Sequence, residues 1–120
     1  MPKTLAQRQL AKARKAQGSP LENRFLTLWK QLGGPELERE WRFDLDRKFR
    51  LDFSYKGYEW VAIEICGGIY NKKSGHNSIS GIERDYEKSN LAQLNGWKYF
   101  QLSPSMITSE HLCPIINLCK

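Results

Sequence analysis

The 120-residue chain reads as an α/β (α+β) domain, a mixed four-stranded sheet flanked by helices in the order α-β-β-β-α-β-α. Three observations predict this. Period-two alternation of β-branched and aromatic residues recurs at 40–45, 49–54, 60–66 and 97–102. Apolar residues at helical spacing fill 20–32, 81–95 and the stretch from Thr108 to the end. Tight turns join the first three strands into a meander, whereas a whole helix separates the third strand from the fourth and makes that last pair parallel.

Residues 1–18 form a basic N-terminal arm or helix, and 19–120 form one domain. The arm has Lys12, Arg14 and Lys15 among good helix formers and no acid before Glu22. It suits tracking of phosphates, with a solvated tail as the alternative. Ser19-Pro20-Leu21-Glu22 is an N-cap followed by proline at the first helical position and the acid of a capping box. Leu21, Phe25, Leu28, Trp29 and Leu32 then make one apolar stripe, which Gly33-Gly34-Pro35 ends.

In the first strand Trp41, Phe43 and Leu45 share a face. Asp46-Arg47-Lys48 turns into the second, where Leu51 and Phe53 take one face and Arg50, Asp52 and Ser54 the other. In the third, Val61, Ile63 and Ile65 oppose Ala62, Glu64 and Cys66. The loop at 67–80 is rich in Gly, Asn and Ser and holds Lys72, Lys73 and His76 without an acid. Gly67-Gly68 leaves room there for a ligand. The helix at 81–95 sets Asp85, Lys88 and Ala92 on one flank and ends at Gly96. The closing helix has Leu112, Ile115, Ile116 and Leu118 for the sheet, and Pro114 lies within it. His111 suits capping or packing better than ligation.

A formal net charge of +6 and a pI of about 9.3 favour a polyanionic partner, most simply nucleic acid, with ribosomal or membrane surfaces as alternatives. Three cysteines without a CxxC pair argue against a disulfide framework or zinc finger and for the reducing cytoplasm. No apolar run is long enough for a bilayer, and neither a secretory signal nor a sound transit peptide is visible.

The chemistry centres on Asp52 and Glu64. If their strands pair with apolar faces together, both carboxylates leave the same side of the sheet. Their repulsion is relieved by a divalent cation, and oxygen ligands suit Mg²⁺ or Mn²⁺. The plain alternative is the solvated face of an antiparallel sheet.

Arg-Leu-Asp52-Phe, then Val-Ala-Ile-Glu64-Ile-Cys66-Gly-Gly, a loop bearing His76, Asp85-x-x-Lys88-x-Asn90-x-Ala92 and Gly96-Trp97 together resemble the PD-(D/E)XK nuclease superfamily. Within it they resemble a compact bacterial and phage group. The resemblance spans about residues 20–104 and leaves the basic arm outside. It implies a restriction-endonuclease-like core and a Mg²⁺- or Mn²⁺-dependent DNA endonuclease. Asp52, Glu64 and the Ile65 carbonyl would hold the ion, and Glu22 would hold a water beside it. His76 would contact phosphate or assist the leaving oxygen, and Asn90 and Gln93 would steady the array; by their charge rather than by the resemblance, Lys12, Arg14 and Lys15 of the arm and Lys72 and Lys73 of the loop would bind DNA. One departure stands out: Cys66 occupies the position of the superfamily lysine. Lys88 from the following helix is the natural substitute, with Lys72 or Lys73 as others, and Cys66 reads as a structural thiol. The implied substrate is branched DNA such as a Holliday junction, or a specific site. A homodimer is expected, with no membrane and no organic cofactor. A catalytically inactive DNA-binding protein of the same fold is the alternative, and a small RNA binder using its aromatic residues is a third reading.

Overall fold

The computed structural model describes residues 4–5, 19–44, 46–47, 49–67 and 79–120. Helix α1 (Pro20–Gln31) leads into strands β1 (Glu38–Asp44), β2 (Phe49–Lys56) and β3 (Trp60–Ile65). Helix α2 (Ile79–Leu94), strand β4 (Trp97–Leu102), a 3₁₀ turn (Pro104–Met106) and helix α3 (Ser109–Leu118) complete the order. The sheet runs β1-β2-β3-β4, antiparallel for the meander and parallel between β3 and β4. The predicted mixed four-stranded sheet and its element order are therefore found. Helix α2 begins two residues earlier than read, and β1 begins two residues earlier as well.

Local chemistry sets the element ends. Ser19 Oγ accepts the Glu22 N–H at 3.1 Å, and Glu22 Oε2 accepts the Ser19 N–H at 2.9 Å, which completes the capping box. Asp44 Oδ1 accepts the N–H groups of Asp46 and Arg47, an Asx turn that sends the chain into β2. Gly96 stops α2 at φ +91°, a backbone region that costs a residue with a Cβ. Thr108 caps α3 through the His111 N–H, and the His111 ring also meets Thr108 Oγ1 at 3.0 Å, so this histidine belongs to a cap. Helix α3 continues through Pro114, the sixth of its ten residues, where the missing N–H leaves the Glu110 carbonyl without its i→i+4 partner.

The sheet has a thick side and a thin side. On the thick side, Phe25 and Trp29 of α1 and Leu112, Ile115 and Ile116 of α3 pack on Phe53, Val61, Ile63 and Leu102. Phe25 meets Phe53 at a centroid distance of 4.9 Å. On the thin side, Leu51, Ala62, Ala92 and Trp97 form a smaller cluster with Trp41, Phe43 and Tyr99. Leu51 and Phe53 therefore do not share a face, contrary to the alternation read from the sequence. The alternation breaks at Asp52, between the cross-strand pairs Arg39↔Phe53 and Trp41↔Leu51, where Glu40 takes φ +55°. A non-glycine residue at positive φ departs from regular strand geometry, so β1 is irregular opposite the break in β2.

A Cβ on Gly67 would come within 2.9 Å of Leu21, so packing against α1 explains this glycine. Gly68 lies outside the described residues, as do Leu45 and Lys48. Among the described residues no helix is long and apolar enough to cross a membrane. Cys66, Cys113 and Cys119 are free thiols.

Candidate active site

The antiparallel ladder of β2 and β3 runs from Lys56↔Trp60 to Phe53↔Ile63. Beyond that last pair the strands are tied by side chains. The backbone N–H of Asp52 donates to Glu64 Oε2 at 3.3 Å, and the Ile65 N–H donates to Asp52 Oδ2 at 3.0 Å. Each carboxylate thus caps the other residue's strand, and the two lie side by side, as the period-two reading of Asp52 and Glu64 required. Continuing β3 in parallel register with β4 sets Gln101 opposite Glu64 and Tyr99 opposite Ala62. Helix α2 crosses above and lowers Lys88 onto Glu64 Oε1 as an ion pair.

These elements enclose a cleft of about 660 Å³. Its walls include Glu22, Asp52, Glu64, Ile65, Cys66, Asp85 and Lys88, all singled out from the sequence. Lys88 keeps 19 % of its side chain exposed and Glu64 only 8 %. Burial, then the hydrogen bond and charge of Asp52, push Glu64 up to about 8 against the opposing pull of Lys88. Glu64 therefore favours its protonated form when no cation neutralises it.

Glu22 has two tasks. Its Oε2 serves the capping box and an ion pair with Arg39 at 3.3 Å. Both contacts fall on one oxygen, which leaves Oε1 for a water in the cleft. The capping reading and the site reading of Glu22 are compatible. Cys66 lines the cleft with its Sγ 3.8 Å from the Glu64 carbonyl and its N–H on Leu102. Burial and the charges of Glu64, Asp52 and Asp85 push the thiol up to about 11. Cys66 is therefore an uncharged group at neutral pH and a poor nucleophile.

Asn90 and Gln93 are exposed on α2 and do not line the cleft. Gln93 instead donates to Ser89 Oγ, itself in the cleft wall. Lys12, Arg14, Lys15, Lys72, Lys73 and His76 lie outside the described residues. Sequence reasoning missed Tyr99 and Gln101. Their signal was present, since alternation along 97–102 puts both on the face of Glu64 once β3 and β4 are parallel.

Neither a family model, nor a curated protein, nor a solved structure matches the chain. Function must be argued from the cleft itself. Among the described residues no three His, Cys, Asp or Glu side chains converge as a closed metal cage would need. Two carboxylates and a strand carbonyl nevertheless fit Mg²⁺ or Mn²⁺, which commonly take one or two protein carboxylates and fill the remaining positions with water and substrate oxygens. Glu64 Oε1 provides the test. It is buried without an aligned hydrogen bond, and the Lys88 ammonium meets it as an ion pair. A buried oxygen in that condition beside a second carboxylate suits a hard cation.

Proposed function

We propose that the chain is a metal-dependent DNA endonuclease with a restriction-endonuclease-like core, acting in the cytoplasm as a homodimer. The observation that carries this reading is the side-by-side pair Asp52 and Glu64 on neighbouring strands, with the Lys88 ammonium against it from the next helix. Asp52, Glu64 and the Ile65 carbonyl would hold Mg²⁺ or Mn²⁺. When bound, such a cation supplies Lewis acidity at the phosphate and a more acidic water. Lys88 supports the charge that grows on the phosphate oxygens and orients the attacking water. Glu22 Oε1 accepts a hydrogen bond from a water in the cleft. The net charge of +6 supports a polyanionic substrate.

Branched DNA, a Holliday junction and a specific site are the substrates considered. The test is cleavage of supercoiled, branched and mismatched DNA with Mg²⁺ and without it. We expect cutting by the wild type only with the cation, and none by Asp52→Ala. Equal traces of activity in both proteins would remove the chemistry from this cleft.

A second reading, a DNA-binding protein without catalysis, is favoured by one observation: an uncharged thiol stands at Cys66 in the place of a lysine. Calorimetry with Mn²⁺ separates the two. A nuclease binds the ion through Asp52 and Glu64, and loss of either side chain removes the heat of binding.

A further inference from the structure

The thin side of the sheet carries a second feature at the opposite end of β3 from the cleft. Lys56, Trp60 and Trp97 form one row across β2, β3 and β4 through the pairs Lys56↔Trp60 and Trp60↔Trp97. The Lys56 ammonium lies 3.8 Å from the ring centroid of Trp41, 4.9 Å from that of Trp60 and 5.8 Å from that of Trp97. Trp60 leans on Trp97 at 5.1 Å and 48°. Beside these contacts Trp60 remains 41 % exposed, and Tyr58 at the hairpin tip is 97 % exposed.

We propose that this end of the β2–β3 hairpin is a stacking site for unpaired DNA bases. The chemistry favours that occupant. A braced, open indole and a free phenol offer two π faces to bases of any sequence. The cation beside them is not consumed by an acid: among the described residues no carboxylate pairs with Lys56, whereas Glu59 is paired with Lys98 at 4.0 Å. A phosphate can therefore meet the Lys56 ammonium while its base meets Trp60. The overall charge of +6 favours the same polyanion.

Trp60, Ala62 and Glu64 alternate with the apolar face of β3, so the stacking site and the carboxylate pair share one side of the sheet. Four residues of strand separate them, roughly 13 Å at about 3.3 Å per residue. That is about four base steps at roughly 3.4 Å per step along one strand. A DNA strand lying over both would have an unpaired segment close to the bond at the cleft, as in a flap, a bubble or the single-stranded arm of a branched molecule. The cutting part of this statement rests on the nuclease reading; the stacking itself needs no cation and no catalysis.

The experiment is fluorescence anisotropy in EDTA with a labelled single-stranded oligothymidylate and a labelled blunt duplex. Wild type, Tyr58→Ala and Trp60→Leu are compared. We expect Tyr58→Ala and Trp60→Leu each to weaken oligothymidylate binding about tenfold, with duplex affinity unchanged. Tyr58 is exposed, so Tyr58→Ala decides the matter even if Trp60→Leu folds poorly. Unchanged oligothymidylate affinity in Tyr58→Ala overturns the proposal, and so does equal weakening for the duplex. Self-association of the wild type that Trp60→Leu abolishes would assign the patch to a second copy of the chain instead. Failure of Mg²⁺-dependent cleavage with stacking intact would remove the nuclease reading and leave this site standing.

Discussion

Lys88 of α2 and Glu64 of β3 form an ion pair across the cleft, with Glu64 almost wholly buried and Lys88 reaching it from the rim. The contact joins the mobile-looking chemistry of a long cation to a rigid strand. It also puts a positive charge where the sequence has Cys66 two residues beyond Glu64. Lys88→Met should lower the rate of Mg²⁺-dependent cleavage by about 10²–10³ with little change in DNA affinity. Adding Cys66→Lys to Lys88→Met should recover part of that loss, since a lysine at 66 lines the same cleft. Single-turnover rates on the preferred DNA check both. An undiminished rate in Lys88→Met would break the assignment.

Glu64 sets a pH dependence of stability. Its folded-state value of about 8 stands above the ordinary carboxylate value of 4.5. Between those two limits the folded protein holds a proton that the unfolded chain has released. Stability in the absence of divalent cations should therefore fall as pH rises from about 5 to 8. Glu64→Gln should flatten this fall and be the more stable protein at pH 8. Urea unfolding in EDTA at several pH values provides the measurement. A wild-type curve that rises over this range contradicts the burial argument.

The same proton competes with a cation. Mn²⁺ affinity should increase from pH 6 to pH 8, and binding should release protons. Asp52→Asn and Glu64→Gln should each lower it at least about tenfold. Isothermal titration in two buffers of different ionisation heat reports both quantities. A pH-independent affinity would place the ion elsewhere.

Glu22 permits a clean separation of scaffold from chemistry. Glutamine keeps the capping box, so Glu22→Gln should change stability by less than about 1 kcal/mol. Ser19→Ala, which removes the cap, should cost about 1 kcal/mol. If Glu22 Oε1 orders a water in the cleft, Glu22→Gln slows cleavage while Ser19→Ala does not. Thermal melts beside cleavage rates distinguish the two effects.

Most of the architecture was legible because its causes are local. Ser19, Gly96 and Thr108 fix helix ends through their own backbone chemistry. The alternation at 60–66 and 97–102 fixes which side chains face the cleft. Asp52 and Glu64 could be paired from period two alone, whereas Lys88 was singled out only through the resemblance to the nuclease superfamily. The faces of Leu51 and Phe53 could not, because the break between them coincides with a positive φ at Glu40 in another strand. Asn90 and Gln93 were misjudged for a related reason. Motif spacing says which residues accompany Lys88 along α2 but not how the helix is rotated over the sheet. Tyr99 and Gln101 were missed although their alternation along 97–102 was legible, because placing them beside Glu64 also needs the register of β4 against β3. Gly67 was read as space for a ligand, and its neighbour proves to be Leu21.

The unequal depth of the two sides of the sheet has a mechanical consequence. Helix α2 has sixteen residues, and Ala92 alone is fully buried. Helices α1 and α3 are anchored by large aromatic and branched side chains. The element that brings the ammonium thus has the least apolar anchoring of the three described helices, and charged contacts, among them Arg47–Glu87 and Arg84 over Phe49, hold it besides. It can lift without disturbing the deep layer beneath, and its amides should exchange with solvent sooner than those of the helices across the sheet. A polyanion sliding beneath such a lever would be admitted and gripped by one hinge-like movement, with the folded base acting as the fixed jaw.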